Sequence, residues 1–383
     1  MSAKLENKKL GIIGGGQLGK MLLAECNKMD IYTSVIDPNK DSPCKKQCDN
    51  FILGDINDYK TILDFGKKND IITFEIEHIN VDALEELENI GKEVYPKSKT
   101  LRVIQDKNLQ KTFFQENNVP TAPFKFFHSL KDFVESVDKN EIEFPCVWKK
   151  TKFGYDGFGV KVLNTPSDIK NLPDAEMIIE NYIPFDKEIS VIVSRNVSGD
   201  IECFNTVEME FNKVSNQVEF VISPANIRED IDLEVQELAV KLSEGLDCVG
   251  VLAVEMFLNG SKVLVNELAP RPHNSGHYSI EACITSQFQQ HIRSIFNLSL
   301  GDTRHSGSAI MLNIVGDSGY EGKVSYENLD LVFKSKNASL HIYGKEHTRP
   351  NRKMGHVTII CDKFEEAYDT AKFLKDSIKV KSE

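Results

Sequence analysis

Short apolar runs alternate with amphipathic stretches along the chain, a pattern that predicts an α/β protein. Lys9 to Ile13 reads as a buried strand, Lys20 to Lys28 as a helix and Tyr32 to Asp37 as a second strand. Further strands at Phe51 to Leu53 and Asp70 to Phe74 extend this unit into a small doubly wound sheet ending near Tyr95. From Asp106 the pattern changes to a helix, Lys107 to Asn117, closed by the turn Asn118-Val119-Pro120, where a new domain begins. Strands follow at Cys146 to Lys149, Lys161 to Leu163, Met177 to Ile183 and Lys187 to Val193. Later, Val249 to Leu258 and Lys262 to Leu268 flank Asn259-Gly260, a dipeptide that favours a two-residue hairpin turn. The last strands are expected at Ala309 to Ile314, Ser339 to Tyr343 and Gly355 to Ile360.

This organisation puts residues 1–105 in an N-terminal domain, 106–300 in a central domain with a subdomain at about 115–185, and 301–383 in a C-terminal domain. A chain of 383 residues, 40% hydrophobic and 27% charged, has the composition of an ordinary globular protein. No apolar run reaches membrane-span length and the start has no apolar signal region, so a cytoplasmic protein without membrane contact is expected. The net charge of -12 argues against nucleic acid as a partner, while leaving room for a local basic site for one phosphate. Eight scattered cysteines make no disulfide framework, and Cys44 and Cys48 form a lone pair without a second metal-binding partner pair.

The densest chemistry lies between Glu255 and His277. The hairpin sets Glu255 and Glu267 on adjacent antiparallel strands, expected as a diagonal pair within reach of one ion. Carboxylates in otherwise apolar strands need a cation or a proton, and Mg2+ carrying phosphates would supply the cation. Lys149 precedes the glycine-rich segment Gly154-Tyr155-Asp156-Gly157-Phe158-Gly159, an arrangement suited to closing a lid over a triphosphate. Glu180-Asn181-Tyr182-Ile183 forms a connector that could meet an adenine edge, with Glu188 beyond it for ribose hydroxyls. At the other end of the chain, Gly14 to Gly19 follows a strand and opens a helix, with Asp37 at the end of the next strand. That fits a dinucleotide fingerprint, although physically it says only that a phosphate could be cradled. Glu75 ends a strand where such sheets place ligand contacts.

Lys149, the GYDGFG segment, Glu180 to Ile183, Glu188, Glu255 and Asn266-Glu267 stand in the order and spacing of an ATP-grasp carboxylate-amine ligase. GGGQLGKML, TFEIEH, QDK, ISPA, NELAPRPHNSGHYSIEAC, YGK and RKMGH further resemble the N5-carboxyaminoimidazole ribonucleotide synthetase family, over about residues 9 to 357. The resemblance implies an ATP-grasp architecture: a Rossmann-like N-terminal domain, a central domain with a lid and a small β-rich C-terminal domain. It also implies ATP and Mg2+ as cofactors, with Mn2+ able to replace the metal, and bicarbonate and 5-aminoimidazole ribonucleotide as small-molecule substrates. On this reading Glu255 and Glu267 hold the metal, and Arg102, Lys149 and Asn266 join the lid and connector residues around ATP. Tyr155, Asp156, His273, Asn274 and Lys353 serve the chemistry. Gly15, Gly16, Gln17, Leu18, Glu75, Arg271, His273, Lys345, Arg352 and Lys353 bind the ribonucleotide. A homodimer is expected, with a mutase as a functional partner for the unstable carbamate.

Two positions depart from the family pattern. Phe158 stands where arginine is common, and Phe211 replaces a histidine that often faces the nucleotide. Three competing readings remain at this stage: an NAD-dependent dehydrogenase using Gly14 to Gly19 and Asp37, an inactive ATP-binding scaffold, and an ATP-grasp ligase acting on formate or an amino acid.

Overall fold

The computed structural model describes residues 8–152, 159–305 and 307–383. Its N-terminal part is a parallel sheet of five strands, in the order Asn50–Leu53, Thr33–Asp37, Leu10–Ile13, Ile71–Phe74, Glu93–Val94. Each strand is short and mostly apolar, as sheets covered on both faces require. Helix Gln17–Lys28 starts three residues earlier than the apolar period suggests, because its first turn is made of the glycine loop itself.

Asp106 caps helix Lys107–Glu116 by accepting from the Asn108 and Leu109 N–H groups, and the central part of the chain begins there. It holds an antiparallel sheet of four strands in the order Phe124–Phe127, Met177–Asn181, Cys146–Lys150, Val160–Leu163. Beside it lies a sheet of nine strands built on the hairpin Gly250–Asn259 and Lys262–Ala269, with Lys187–Arg195 next to it. The same sheet continues through Val218–Ser223 into Ser308–Val315, Lys353–Cys361 and Ala338–Ile342. Residues 301–383 therefore share a continuous sheet with the central part rather than standing apart from it.

The hairpin differs from its expected form in two ways. Asn259 pairs with Lys262, so the turn is Gly260-Ser261, with φ of +60° at Gly260 as a glycine-first two-residue turn requires. A bulge after Glu255 then absorbs Asn266, and Glu255 and Glu267 face each other directly instead of diagonally.

The N-terminal and central parts are joined by a buried histidine. The His291 Nδ1 accepts from the Val251 N–H at 3.2 Å, and its Nε2 lies 2.8 Å from the Thr73 hydroxyl. Phe288, Ile292 and Ile295 of helix Gln287–Ile295 enter the same apolar cluster as Leu10, Leu22 and Val35.

Candidate active site

Adjacent strands gather carboxylates on one sheet face. Glu255 lies opposite Ser190, while Glu188 lies two pairs further along opposite Phe257, so Glu188 and Glu255 project to the same side with Glu267. Burial, followed by repulsion from Glu267 and Glu188, pushes the Glu255 carboxyl up to about 8. Burial also pushes Glu188 up to about 7, against the pull of Lys149. Glu267 is driven up by burial as well, but the Lys107 ammonium at 2.7 Å outweighs this and holds it below the ordinary range. The side chains are still 25% and 41% exposed for Glu255 and Glu267, so the cluster opens into a cleft. Oxygen donors converging with too little positive charge suit a hard divalent cation, and Mg2+ fits that donor set.

A second charge cluster lies behind the first. Glu180 is paired with Lys149 at 2.9 Å and Lys111 at 3.0 Å, and Lys149 also donates to the Asn266 side-chain oxygen at 3.0 Å. Burial would raise Glu180, yet the two ammonium groups outweigh it and keep its carboxyl ionised. Burial lowers Lys111 to about 8 despite that pairing. The Glu180 side chain, 3% exposed, is thus a sealed counterion for two lysines. The connector beyond it does face outward: Asn181 and Tyr182 are exposed, Ile183 is half-buried, and Phe185 stacks on Phe257 at 4.7 Å.

The Pro270-Arg271-Pro272 turn carries the chain from the carboxylate strand to His273. His273 accepts the Ser275 N–H at Nδ1, which leaves the proton on Nε2, 3.2 Å from the Glu255 Oε1. Burial, helped by Arg271 and Lys353, lowers the imidazole well below its usual range, so it is neutral. Gln287 fixes its backbone, accepting from the His273 N–H and donating to the His273 carbonyl. Asn274 does not face the cleft freely. Its amide exchanges two hydrogen bonds with Asn313, at 2.9 and 2.8 Å, and so ties the turn to the last part of the sheet.

The glycine loop corrects the phosphate-cradle expectation. Glu75, only 8% exposed, accepts from the Gly16, Leu18 and Gly19 N–H groups at 2.8, 3.1 and 3.1 Å. A protein carboxylate thus takes the helix N-terminus that a pyrophosphate would need. Asp37 accepts the Gly15 N–H at 2.7 Å and the Asn39 N–H at 2.8 Å, so both of its oxygens serve the loop instead of a ribose. Gly14 has φ of +94°, and a Cβ at Gly16 would come within 2.8 Å of Glu75. The outer side of the loop still borders an opening: a cavity of about 150 Å3 lies between Gly16, Asp37 and Asn39 on one wall and Lys345, His347 and Arg352 on the other. The basic hairpin segment and the glycine loop therefore meet across this opening, whose lining also includes Asp41 and Glu346.

Other expected residues are placed as follows. Arg102 forks between Asp82 and Glu85 at 2.8 and 2.7 Å, away from the phosphate role expected of it. Arg271 pairs with Glu77 at 2.9 Å across the junction of the N-terminal and central parts. Lys353 is close enough to lower the Glu255 carboxyl and depress His273. Gln17 and Leu18 open the helix beside the cavity. Phe211 packs half-buried on the cluster of Val207, Tyr278 and Met311, an apolar role. Gly154, Tyr155, Asp156, Gly157 and Phe158 lie outside the described residues; Gly159 accepts from the Lys150 N–H at 2.8 Å at the base of that hairpin. Lys107, Lys111 and Gln287 were not expected at the site. Lys107 and Lys111 are four apart on one helix that begins with the QDK motif, a spacing that puts both on one face.

Comparison with known proteins agrees with this geometry. Residues 7–105 match the ribonucleotide synthetase preATP-grasp domain, 112–288 the ATP-grasp domain, and 309–370 the phosphoribosylaminoimidazole carboxylase C-terminal domain. The chain is 40% identical to an N5-carboxyaminoimidazole ribonucleotide synthase of Bacillus subtilis (strain 168), covering 92% of this chain and 91% of that protein. It is 35% identical to a phosphoribosylaminoimidazole carboxylase of Ogataea methanolica, but spans only 67% of that longer protein and 93% of itself. Among solved structures, an N5-carboxyaminoimidazole ribonucleotide synthetase from Thermotoga maritima is similar with a TM-score of 0.90 and 41% identity, covering 98% of this chain and all (100%) of that one. An Aspergillus clavatus synthase solved with ADP and 5-aminoimidazole ribonucleotide is similar with a TM-score of 0.85 and 30% identity, covering 96% and 98% of the two chains.

Proposed function

The chain belongs to the N5-carboxyaminoimidazole ribonucleotide synthetase family of ATP-grasp ligases, and from that premise we propose the reaction its site performs. Bicarbonate attacks the γ-phosphorus of ATP, giving carboxyphosphate and ADP. The exocyclic amine of 5-aminoimidazole ribonucleotide then takes up the carboxyl group and loses a proton, and phosphate departs. The product is N5-carboxyaminoimidazole ribonucleotide, an intermediate of purine biosynthesis.

The observation that carries this reading is the face shared by Glu188, Glu255 and Glu267, whose repulsion leaves a place for one cation. Glu255 and Glu267 would hold Mg2+, which when bound neutralises charge on the β- and γ-phosphate oxygens. Lys149, held at a fixed position by Glu180 and Asn266, directs its ammonium at the same phosphates. Lys107 keeps Glu267 ionised and ready to bind. Exposed Tyr182 and the backbone of Asn181 to Ile183 border the adenine, and Glu188 meets the ribose or the cation. Lys345 and Arg352 would receive the ribonucleotide phosphate opposite Gly16, and the family pattern adds Gly15, Gln17 and Leu18 of the same loop. Glu75 acts behind the loop, fixing its N–H groups. Neutral His273, its Nε2 3.2 Å from the Glu255 Oε1, and Lys353 stand where bicarbonate or the released CO2 must be kept from water. On the family pattern Asp156 and Tyr155 would take up the proton of the amine.

The dehydrogenase reading loses its support, because Glu75 and Asp37 consume the donors and acceptors that a dinucleotide would use. The protein works as a homodimer in the cytoplasm and passes its carbamate to a mutase; among the described residues no helix is long and apolar enough to cross a membrane. The reaction is tested by ADP release from MgATP with bicarbonate and 5-aminoimidazole ribonucleotide added singly and together. Release that requires the ribonucleotide is expected. Release indifferent to it, with MgATP binding intact, would leave an ATP-grasp protein of another substrate.

A further inference from the structure

We propose that Glu281, His341 and His356 form a second, separate metal site, suited to zinc or a similar divalent transition metal, at the stem of the basic hairpin. His341 and His356 are cross-strand partners on Ala338–Ile342 and Lys353–Cys361 whose rings stack at 4.3 Å and 9°, so an ion held in both ring planes requires the partly exposed His341 ring to turn out of the stack. Helix Ser279–Ala282 brings Glu281 to them, with its Oε1 2.5 Å from the His341 Nε2. One donor atom from each of the three residues lies within 4.8 Å of the others. Donors about 2.0–2.2 Å from a zinc ion stand roughly 3.3–3.6 Å apart, between that 2.5 Å pair and the 4.8 Å span.

An independent observation points to a ligand. His356 is fully buried (0% exposed), yet its Nε2 has no hydrogen-bond partner, and neither does the buried Glu281 Oε2. The His356 Nδ1 lies 3.0 Å from the Tyr343 hydroxyl. With Nδ1–H donating to that oxygen, Nε2 presents a lone pair to the cluster, the tautomer and outer support usual for a metal-bound imidazole. His277 also packs on His356, but its Nδ1 accepts from Gln287, which keeps it outside the donor set. Two imidazoles and one carboxylate with a fourth position for water favour zinc or another borderline metal over Mg2+. The ion would replace the proton shared between His341 and Glu281, which is released to solvent.

The site has a mechanical consequence. The two histidine strands are joined by the segment that carries Lys345 and Arg352, and Glu281 follows the His273 turn in sequence. A bound ion pins that hairpin stem to the segment carrying His273, and Lys20 already ties it to the glycine-loop helix by donating to the Ile342 carbonyl at 2.8 Å. Loading should therefore sharpen ribonucleotide binding; this consequence, unlike the site itself, rests on the function proposed above.

The test uses untagged full-length protein freed of metal with a chelator, titrated calorimetrically with Zn2+ under excess Mg2+. One equivalent should bind, and Glu281→Gln and His341→Gln should each weaken binding about tenfold or more. His128→Gln, an exposed histidine outside both the cluster and the cavity, should leave zinc affinity unchanged. Absence of a stoichiometric site, loss of binding as Mg2+ rises, or full affinity in both variants would overturn the proposal. In steady state, removing the ion should raise KM for the ribonucleotide severalfold and leave KM for ATP alone; an unchanged KM would remove the clamp role. If no ribonucleotide stimulates ADP release, the functional reading fails while the zinc titration still decides the site.

Discussion

Glu75 and Glu255 are both recessed carboxylates on strands, but the protein treats them oppositely. Burial raises both, but Glu75 receives three backbone N–H groups at a helix N-terminus, which oppose that rise from within the fold. Glu255 has one neutral imidazole beside it and faces two further carboxylates, so its charge is left for something that binds. Glu180 belongs with Glu75: two lysines enclose it. A buried acid is thus no sign of function by itself. The informative ones are those whose compensation the chain does not provide.

This contrast can be broken by removing each acid in turn. Glu267→Gln keeps the shape of the cation site and removes its charge. Turnover should fall about 10^3-fold or more, the loss of several kcal/mol of charge stabilisation, with the melting temperature preserved; substantial activity would end the metal assignment. Glu180→Ala should act on folding first. It leaves Lys111 and Lys149 buried without a counterion and should cost about 3–5 kcal/mol in denaturant unfolding, with a full-strength fold arguing that water or a ligand already serves those lysines. Glu75→Ala should cost roughly 2–3 kcal/mol through its orphaned N–H groups, and added phosphate should recover part of the loss in a thermal melt. Arg102→Ala should change stability by no more than about 0.5 kcal/mol and leave KM for ATP untouched, since its two carboxylate partners are exposed. A large rise in that KM would return Arg102 to the nucleotide.

Much of the site was legible in the sequence, and the failures have specific causes. The strands and the Glu255 and Glu267 pair follow from local pattern, whereas a shared position for the glycine loop and Lys345 and Arg352 was expected only from the family resemblance. The diagonal register failed because one residue, Asn266, is absorbed in a bulge, and single-residue slips leave little trace in an apolar alternation. The glycine loop was read as open because nothing local says that Glu75 folds back into it. Asn274 pairing with Asn313, and His341 stacking on His356 beside Glu281, join residues far apart in sequence, where no spacing rule reaches. The boundary near residue 300 was drawn from the order of predicted elements and lies close to the start of the C-terminal family match at residue 309, while strand pairing between Val218–Ser223 and Ser308–Val315 carries one sheet across it.

The uncompensated carboxylates make a claim that can be measured without turnover. Glu255 at about 8 and Glu188 at about 7 lie above the roughly 4.3 of an unfolded glutamate. These two carboxyls therefore hold more protons in the metal-free folded protein than in the unfolded chain between about pH 4.3 and 8, and their contribution makes it less stable as pH rises through that window. A cation that takes the place of those protons should restore more stability where more have been lost. The most direct measurement is the rise in melting temperature on adding Mg2+ to metal-free protein, compared at pH 6 and pH 8.5. A gain clearly larger at pH 8.5, and abolished in Glu267→Gln, is the predicted result. An equal gain at both pH values, or one that survives in Glu267→Gln, would contradict the account.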